Sequence, residues 1–153
     1  YTVERPLHLG VTLAGGPDEL VEACTAYGLP LGEAFQLRDD LLGVFGDPQE
    51  TGKPAGDDLR EGKRTVLVAT ALEHATPAQA ELVRRHLGDP DLDDAGVARL
   101  REVITATGAL DRVEAAIEEL AGEAVAALDP DVVDPAARDV LGALATAATA
   151  RRG

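Results

Sequence analysis

Apolar positions recur every three to four residues along nearly the whole chain, and no segment alternates with the period of two that marks a strand. The first segment, VERPLHLGVTLAGG, reads as a short helix ended by Gly15 and Gly16. The next, PDELVEACTAYGLPLGEAFQLRDDLLGVFGD, reads as one unusually long helix. Pro17 suits its first turn, Asp18 and Glu19 favour its positive end, and Gly28 and Pro30 predict an interruption with a kink. PQETGKPAGDDLREGKR shows no apolar face and is broken by prolines and glycines, so it is expected to be a loop. TVLVATALEHA is then a short apolar helix. TPAQAELVRRHLG opens with Thr76 as cap, Pro77 in the first turn and Gln79 at the capping-box position. DPDLDDAGVARLREVITATG predicts a turn and a helix. ALDRVEAAIEELAGEAVAALD puts Leu110, Val113, Ile117, Leu120, Ala124 and Leu128 on one stripe, and Asp134 with Pro135 starts the last helix. The fold class is all-α, a helical bundle in which the long helix carries the unusual residues.

Those residues lie in FQLRDDLLGVFGD, positions 35–47. Helical neighbours are three and four apart. From Asp40 the same face runs back through Gln36, Gly32 and Gly28 and forward to Gly43, with Asp39 beside it. Leu37, Leu41, Val44 and Phe45 cover most of the remaining girth, which predicts a central helix whose small, polar stripe faces a cavity. Two carboxylates confined together need a shared proton, basic partners or a metal. Oxygen donors with room for water and phosphate suit Mg²⁺. Lys53 and Lys63 in the following loop have the charge and reach to complete a diphosphate cradle. A solvated acidic pair with loop lysines in water is the other reading of the same spacing, and close helix packing is the other reading of the glycines.

Composition narrows the field. The chain has 153 residues, enough for one domain with a real core, and 45% of them are hydrophobic, as in a globular protein. Aromatics make up 3%, so Leu, Val and Ala must supply the packing. The formal net charge of -14 argues against a nucleic-acid partner, which needs a basic face, and permits divalent cations. Solubility alone would also account for it. A single cysteine, Cys24, excludes an internal disulfide, and a reducing cytoplasm is the expected compartment. No apolar run reaches the length of a membrane span, and no signal peptide is recognised. The chain starts at Tyr1 in what reads as the middle of an element, so a piece of a longer protein is expected.

Three other signals fail on detail. Gly46 to Lys53 resembles a phosphate-binding loop, but the glycine spacing is one too long, Pro54 stands where Ser or Thr must be, and a helix precedes it. DPDLDD, from Asp89, has Asp94 and Leu100 where a calcium loop needs Gly and Glu. His8, His74 and His86 share no metal spacing, and Cys24 reads as a small core residue.

The segment GEAFQLRDDLLGVFGDPQETGKPAGDDLREGKRTVLVATAL resembles the second aspartate-rich region of trans-isoprenyl diphosphate synthases, the polyprenyl synthetase family. YTVERPLHLG is similar to the segment after that family's Lys-Thr motif, and TGALDRVEAAIEELAGEAVAAL to its later helices. The resemblance covers essentially the whole chain, residues 1–153, as the C-terminal half of the domain. It implies the all-α isoprenoid synthase fold around a central cavity, and a prenyltransferase that condenses isopentenyl diphosphate with an allylic diphosphate using Mg²⁺. It further implies a homodimer. Asp39 and Asp40 would be the metal ligands, and Gln36 and Lys53 the catalytic contacts. Phe35, Gln36, Lys53 and Lys63 would line or bind the allylic diphosphate. Asp58 and Lys63 match the family's loop pattern, with one extra residue between Lys53 and Asp58. The motif normally ends in a third aspartate, and here Gly43 holds that place. The first aspartate-rich motif, the residues for isopentenyl diphosphate and the Lys-Thr pair are absent from these residues, so the isolated chain is expected to be inactive. A terpene cyclase, which usually carries an Asn-Ser/Thr-Glu motif not found here, and a non-catalytic dimerisation module of the same fold are the alternatives.

Overall fold

The computed structural model describes residues 2–52, 54 and 56–150. Among them every regular element is a helix: α1 (Glu4–Leu13), α2 (Asp18–Phe45), α3 (Pro48–Thr51), α4 (Asp57–Arg60), α5 (Val66–His74), α6 (Pro77–His86), α7 (Asp94–Ala106), α8 (Ala109–Ala126) and α9 (Pro135–Thr149). The all-α expectation holds. No helix among the described residues is long and apolar enough to cross a membrane.

The caps predicted from sequence form as expected. Thr76 accepts from the Gln79 amide while Gln79 reaches back to the Thr76 amide, a complete capping box. Asp134 accepts from the amides of Ala136 and Ala137 at the start of α9. Asp93 does the same for Gly96 and α7. Two expectations fail. The long helix is not interrupted: α2 runs unbroken through Pro30. A proline inside a helix costs about 3 kcal/mol. Here Tyr27, Leu31 and Ala34 around it are essentially fully buried, and each large apolar side chain so buried returns about 1.5–3 kcal/mol. The stretch 48–64 is also not wholly irregular, because α3 and α4 each add one helical turn.

The chain forms two compact units. The described residues of the first run from Thr2 to Gln36 and from Ala116 to Ala150. Its core joins Tyr27 and Leu31 of α2 to Ala124, Leu128, Val133 and Ala145. The Tyr27 hydroxyl donates to the Leu141 carbonyl at 2.8 Å, so this buried aromatic satisfies its polar end. His8 Nε2 meets Thr25 Oγ1 at 2.8 Å. Gly28 is needed for close packing, since a Cβ there would lie 2.7 Å from the Glu4 Cα. An apolar cavity of about 580 Å³ opens between α1, α2 and α9, walled by Leu7, Val11, Cys24, Tyr27, Val140 and Leu141. Burial pushes the Cys24 thiol above its ordinary value, as suits the inert core residue expected from sequence.

The second unit is built from residues 37–115. There α5, α6 and α7 pack on one another, burying Leu67, Val68, Val83, Val97, Leu100 and Ile104. Leu37, Leu41 and Val44 of α2 are buried as well.

Candidate functional site

The site is built on the C-terminal turns of α2 and on the segment that follows. Helical register puts Gln36, Asp40 and Gly43 on one stripe, with Asp39 adjacent. Gln36 and Asp39 are exposed, and Asp40 and Phe35 are half-buried. The expectation that this stripe faces an enclosed cavity is therefore not met within the described residues; its leading carboxylate is open to water. Lys53 lies outside the described residues. Lys63 is exposed and is brought to the site's loop: its ammonium donates to Asp58 Oδ1 at 2.5 Å and lies 3.3 Å from Glu61 Oε2. The hydrogen bond that Lys63 donates to Asp58, with the nearby negative charge, holds Lys63 above the ordinary lysine value despite some opposing desolvation.

Arg38, overlooked in the sequence reading, fixes this part of α2. It is buried, and its Nη1 and Nη2 grip both carboxylate oxygens of Glu114, at 2.8 and 2.5 Å. That fork geometry is the strong arginine–carboxylate pairing. A signal was present: Arg38 continues the buried series Leu31, Ala34 at helical spacing, and an arginine on a core face needs an acid. The end of α2 is held by Arg101. Its Nε donates to the Val44 carbonyl at 2.7 Å, satisfying one of the acceptors a helix end leaves open, and its guanidinium stands 5.7 Å from the Phe45 ring centroid. Burial, then the neighbouring Arg60 charge, lowers the Arg101 value.

The segment carrying Asp58 and Lys63 is anchored to the α6–α7 side of the same unit. Gly56 and Gly62 adopt the left-handed conformation, with φ of 73° and 72°. A Cβ on Gly56 would strike Val97 at 2.4 Å, and one on Gly62 would lie 2.9 Å from the Gly88 Cα. The Gly88 amide donates to the Leu59 carbonyl at 2.9 Å. Arg60 Nε donates to the Leu92 carbonyl at 2.8 Å, and its Nη2 reaches Asp94 at 3.0 Å. Leu59 is fully buried between these ties.

Among the described residues no three His, Cys, Asp or Glu side chains are grouped closely enough to hold a metal ion by themselves. An exposed carboxylate, Asp39, beside the half-buried Asp40 on one helix nevertheless fits Mg²⁺, which keeps several waters and is commonly bound through one or two carboxylates plus substrate phosphates.

The sequence profile of the polyprenyl synthetase family matches residues 1–104, more than half of the chain, and the chain belongs to that family. It is 40% identical over 96 residues to the geranylgeranyl diphosphate synthase of Saccharolobus solfataricus, which covers 63% of this chain and 29% of that enzyme. It is 40% identical over 124 residues to the octaprenyl diphosphate synthase of Escherichia coli, covering 76% and 36%. Its structure superposes on geranylgeranyl pyrophosphate synthase from Corynebacterium glutamicum, itself complexed with isoprenyl diphosphate and magnesium. The TM-score there is 0.93 and the identity 50%, over 99% of this chain and 43% of that one. The isoprenoid synthase fold is thereby shown. The chain spans about a third of the length of these curated relatives.

Proposed function

We propose that residues 1–153 form the C-terminal half of a trans-prenyl diphosphate synthase and supply its second aspartate-rich face. The observation that carries this reading is the stripe of Gln36, Asp39 and Asp40 beside a firmly anchored, lysine-bearing loop. The same fold in a 50% identical protein, complexed with isoprenyl diphosphate and magnesium, supports it. Exposed Leu9 and Leu13 on α1, with the apolar cavity of the first unit, agree with a fold that has more helices to pack.

In the proposed reaction the C–O bond of an allylic diphosphate breaks and diphosphate leaves. The double bond of isopentenyl diphosphate attacks the allylic carbon, and a proton is lost. Asp39 and Asp40 would hold Mg²⁺, whose positive charge would stabilise the departing diphosphate. Gln36 can donate its amide protons to a diphosphate oxygen or a bound water. Lys63 supplies a fixed cation on the loop, and Lys53 is proposed as a second. Preorganised donors of this kind contribute roughly 3 kcal/mol each to a transition state in which charge develops. Phe35 contributes apolar wall that keeps water from the carbocation.

The test is Asp39→Ala in a polypeptide that joins this chain to a first aspartate-rich half. Mg²⁺-dependent elongation of an allylic primer is expected to disappear, and near-normal turnover would refute the assignment. The 153 residues alone are expected to elongate nothing.

A further inference from the structure

Position 43, where the family motif carries its third aspartate, is not empty space. A Cβ built on Gly43 would sit 2.1 Å from Asp58 Oδ2, 2.4 Å from Asp58 Cγ and 3.0 Å from Oδ1. The carboxylate of Asp58 thus stands where any side chain at 43 would go. It is 5% exposed. Its Oδ1 is taken by the Lys63 ammonium, and its backbone carbonyl receives the Lys63 amide at 3.0 Å. The segment cannot simply swing away to make room. It is pinned on its far side by the Gly56–Val97 and Gly62–Gly88 contacts and by the Leu59 and Arg60 hydrogen bonds. Asp58 is therefore pressed onto α2 with its counter-charge attached.

We infer that Gly43 is a socket for Asp58, and that Asp58, delivered from the loop to the third acidic slot of the stripe, is a positioning residue that fixes Lys63 there. The helix carries no carboxylate at this slot, and the loop places one there, paired with a lysine. This slot consequently brings an oriented ammonium and little net charge, where an aspartate at 43 would bring net negative charge. That Lys63 then meets a diphosphate rests on the proposed function; the socket does not.

Two measurements separate these parts. Thermal unfolding of this chain tests the socket with Gly43→Ala, Asp58→Ala and the double variant. Gly43→Ala is expected to lower Tm or prevent folding, and adding Asp58→Ala is expected to recover part of the loss. A double variant that loses the sum of the two single effects, or that fails to fold while Asp58→Ala folds, overturns the socket. In the complete synthase, Asp58→Ala is expected to raise KM for the allylic diphosphate about tenfold or more, the size of one charge-assisted hydrogen bond, with a smaller change in kcat. Gly43→Asp added to Asp58→Ala returns a carboxylate beside Lys63 and should restore most of that affinity, which a purely structural role for Asp58 would not allow. An unchanged KM in Asp58→Ala, or no recovery in the folded double variant, overturns the positioning role. A parent polypeptide that makes no prenyl product refutes the proposed function, and with it the positioning role, while the unfolding series still decides the socket.

Discussion

Removing Glu114 should expose how strongly the arginine beside the aspartate pair depends on it. The Arg38 side chain is 9% exposed and that of Glu114 39%, and both terminal nitrogens of Arg38 go to Glu114. Glu114→Ala leaves a buried guanidinium without its counter-charge. Stripping one partner from a fully buried pair costs about 3–5 kcal/mol. Because Glu114 is more than a third exposed, water can enter behind the truncated residue, and discounting for that screening brings the expected loss to roughly 2 kcal/mol. For a chain of this size each kcal/mol moves Tm by about 2–4 °C, so a fall of about 4–8 °C is expected in a melt followed by far-ultraviolet circular dichroism. Arg38→Met combined with Glu114→Ala removes the stranded charge and should regain much of the loss, since well-packed apolar replacements of buried pairs are often neutral. A Glu114→Ala melt indistinguishable from the parent, or a double variant that falls further, would refute the reasoning.

Tyr27→Phe deletes the hydroxyl bonded to the Leu141 carbonyl and keeps the ring in its core. A loss of about 1 kcal/mol is expected, read as a lower urea midpoint at unchanged slope. An unmoved midpoint would mean that the bond adds nothing. The Asp58–Lys63 bridge has a defined pH signature. The folded value of Lys63 lies above the ordinary 10.5, so its stabilisation is complete below 10.5 and is lost as pH rises through the folded value. The Tm gap between the parent and Lys63→Gln should accordingly persist through neutrality and close as pH rises through the folded Lys63 value, and a gap that closes near neutrality would contradict the bridge.

Helix positions and caps were legible because they are local. Thr76 with Gln79, Asp134 with Pro135 and the Val113–Ile117 stripe carry their own instructions in a few adjacent residues. Pro30 misled for the opposite reason: the residues that keep α2 whole around it are held by distant partners of the first unit. The aspartates and glutamine of the stripe could be read from spacing on one helix. Their exposure could not, because it depends on what packs opposite. Asp58 was visible as a pattern match, but its burial and its seat on Gly43 depend on a loop whose course is set by Val97, Gly88 and Leu92. Arg38 went unnoticed because its partner lies 76 residues away.

The contact between Gly62 and Gly88 reaches beyond stability. Two backbones meet there with no side chain between them, so the loop carrying Asp58 and Lys63 and the corner after α6 share one surface. Residues 56–64 and 87–97 are consequently a single unit of exchange. A chimera that imports the loop from a relative without its corner would install the lysine and the aspartate but not the place where they stand.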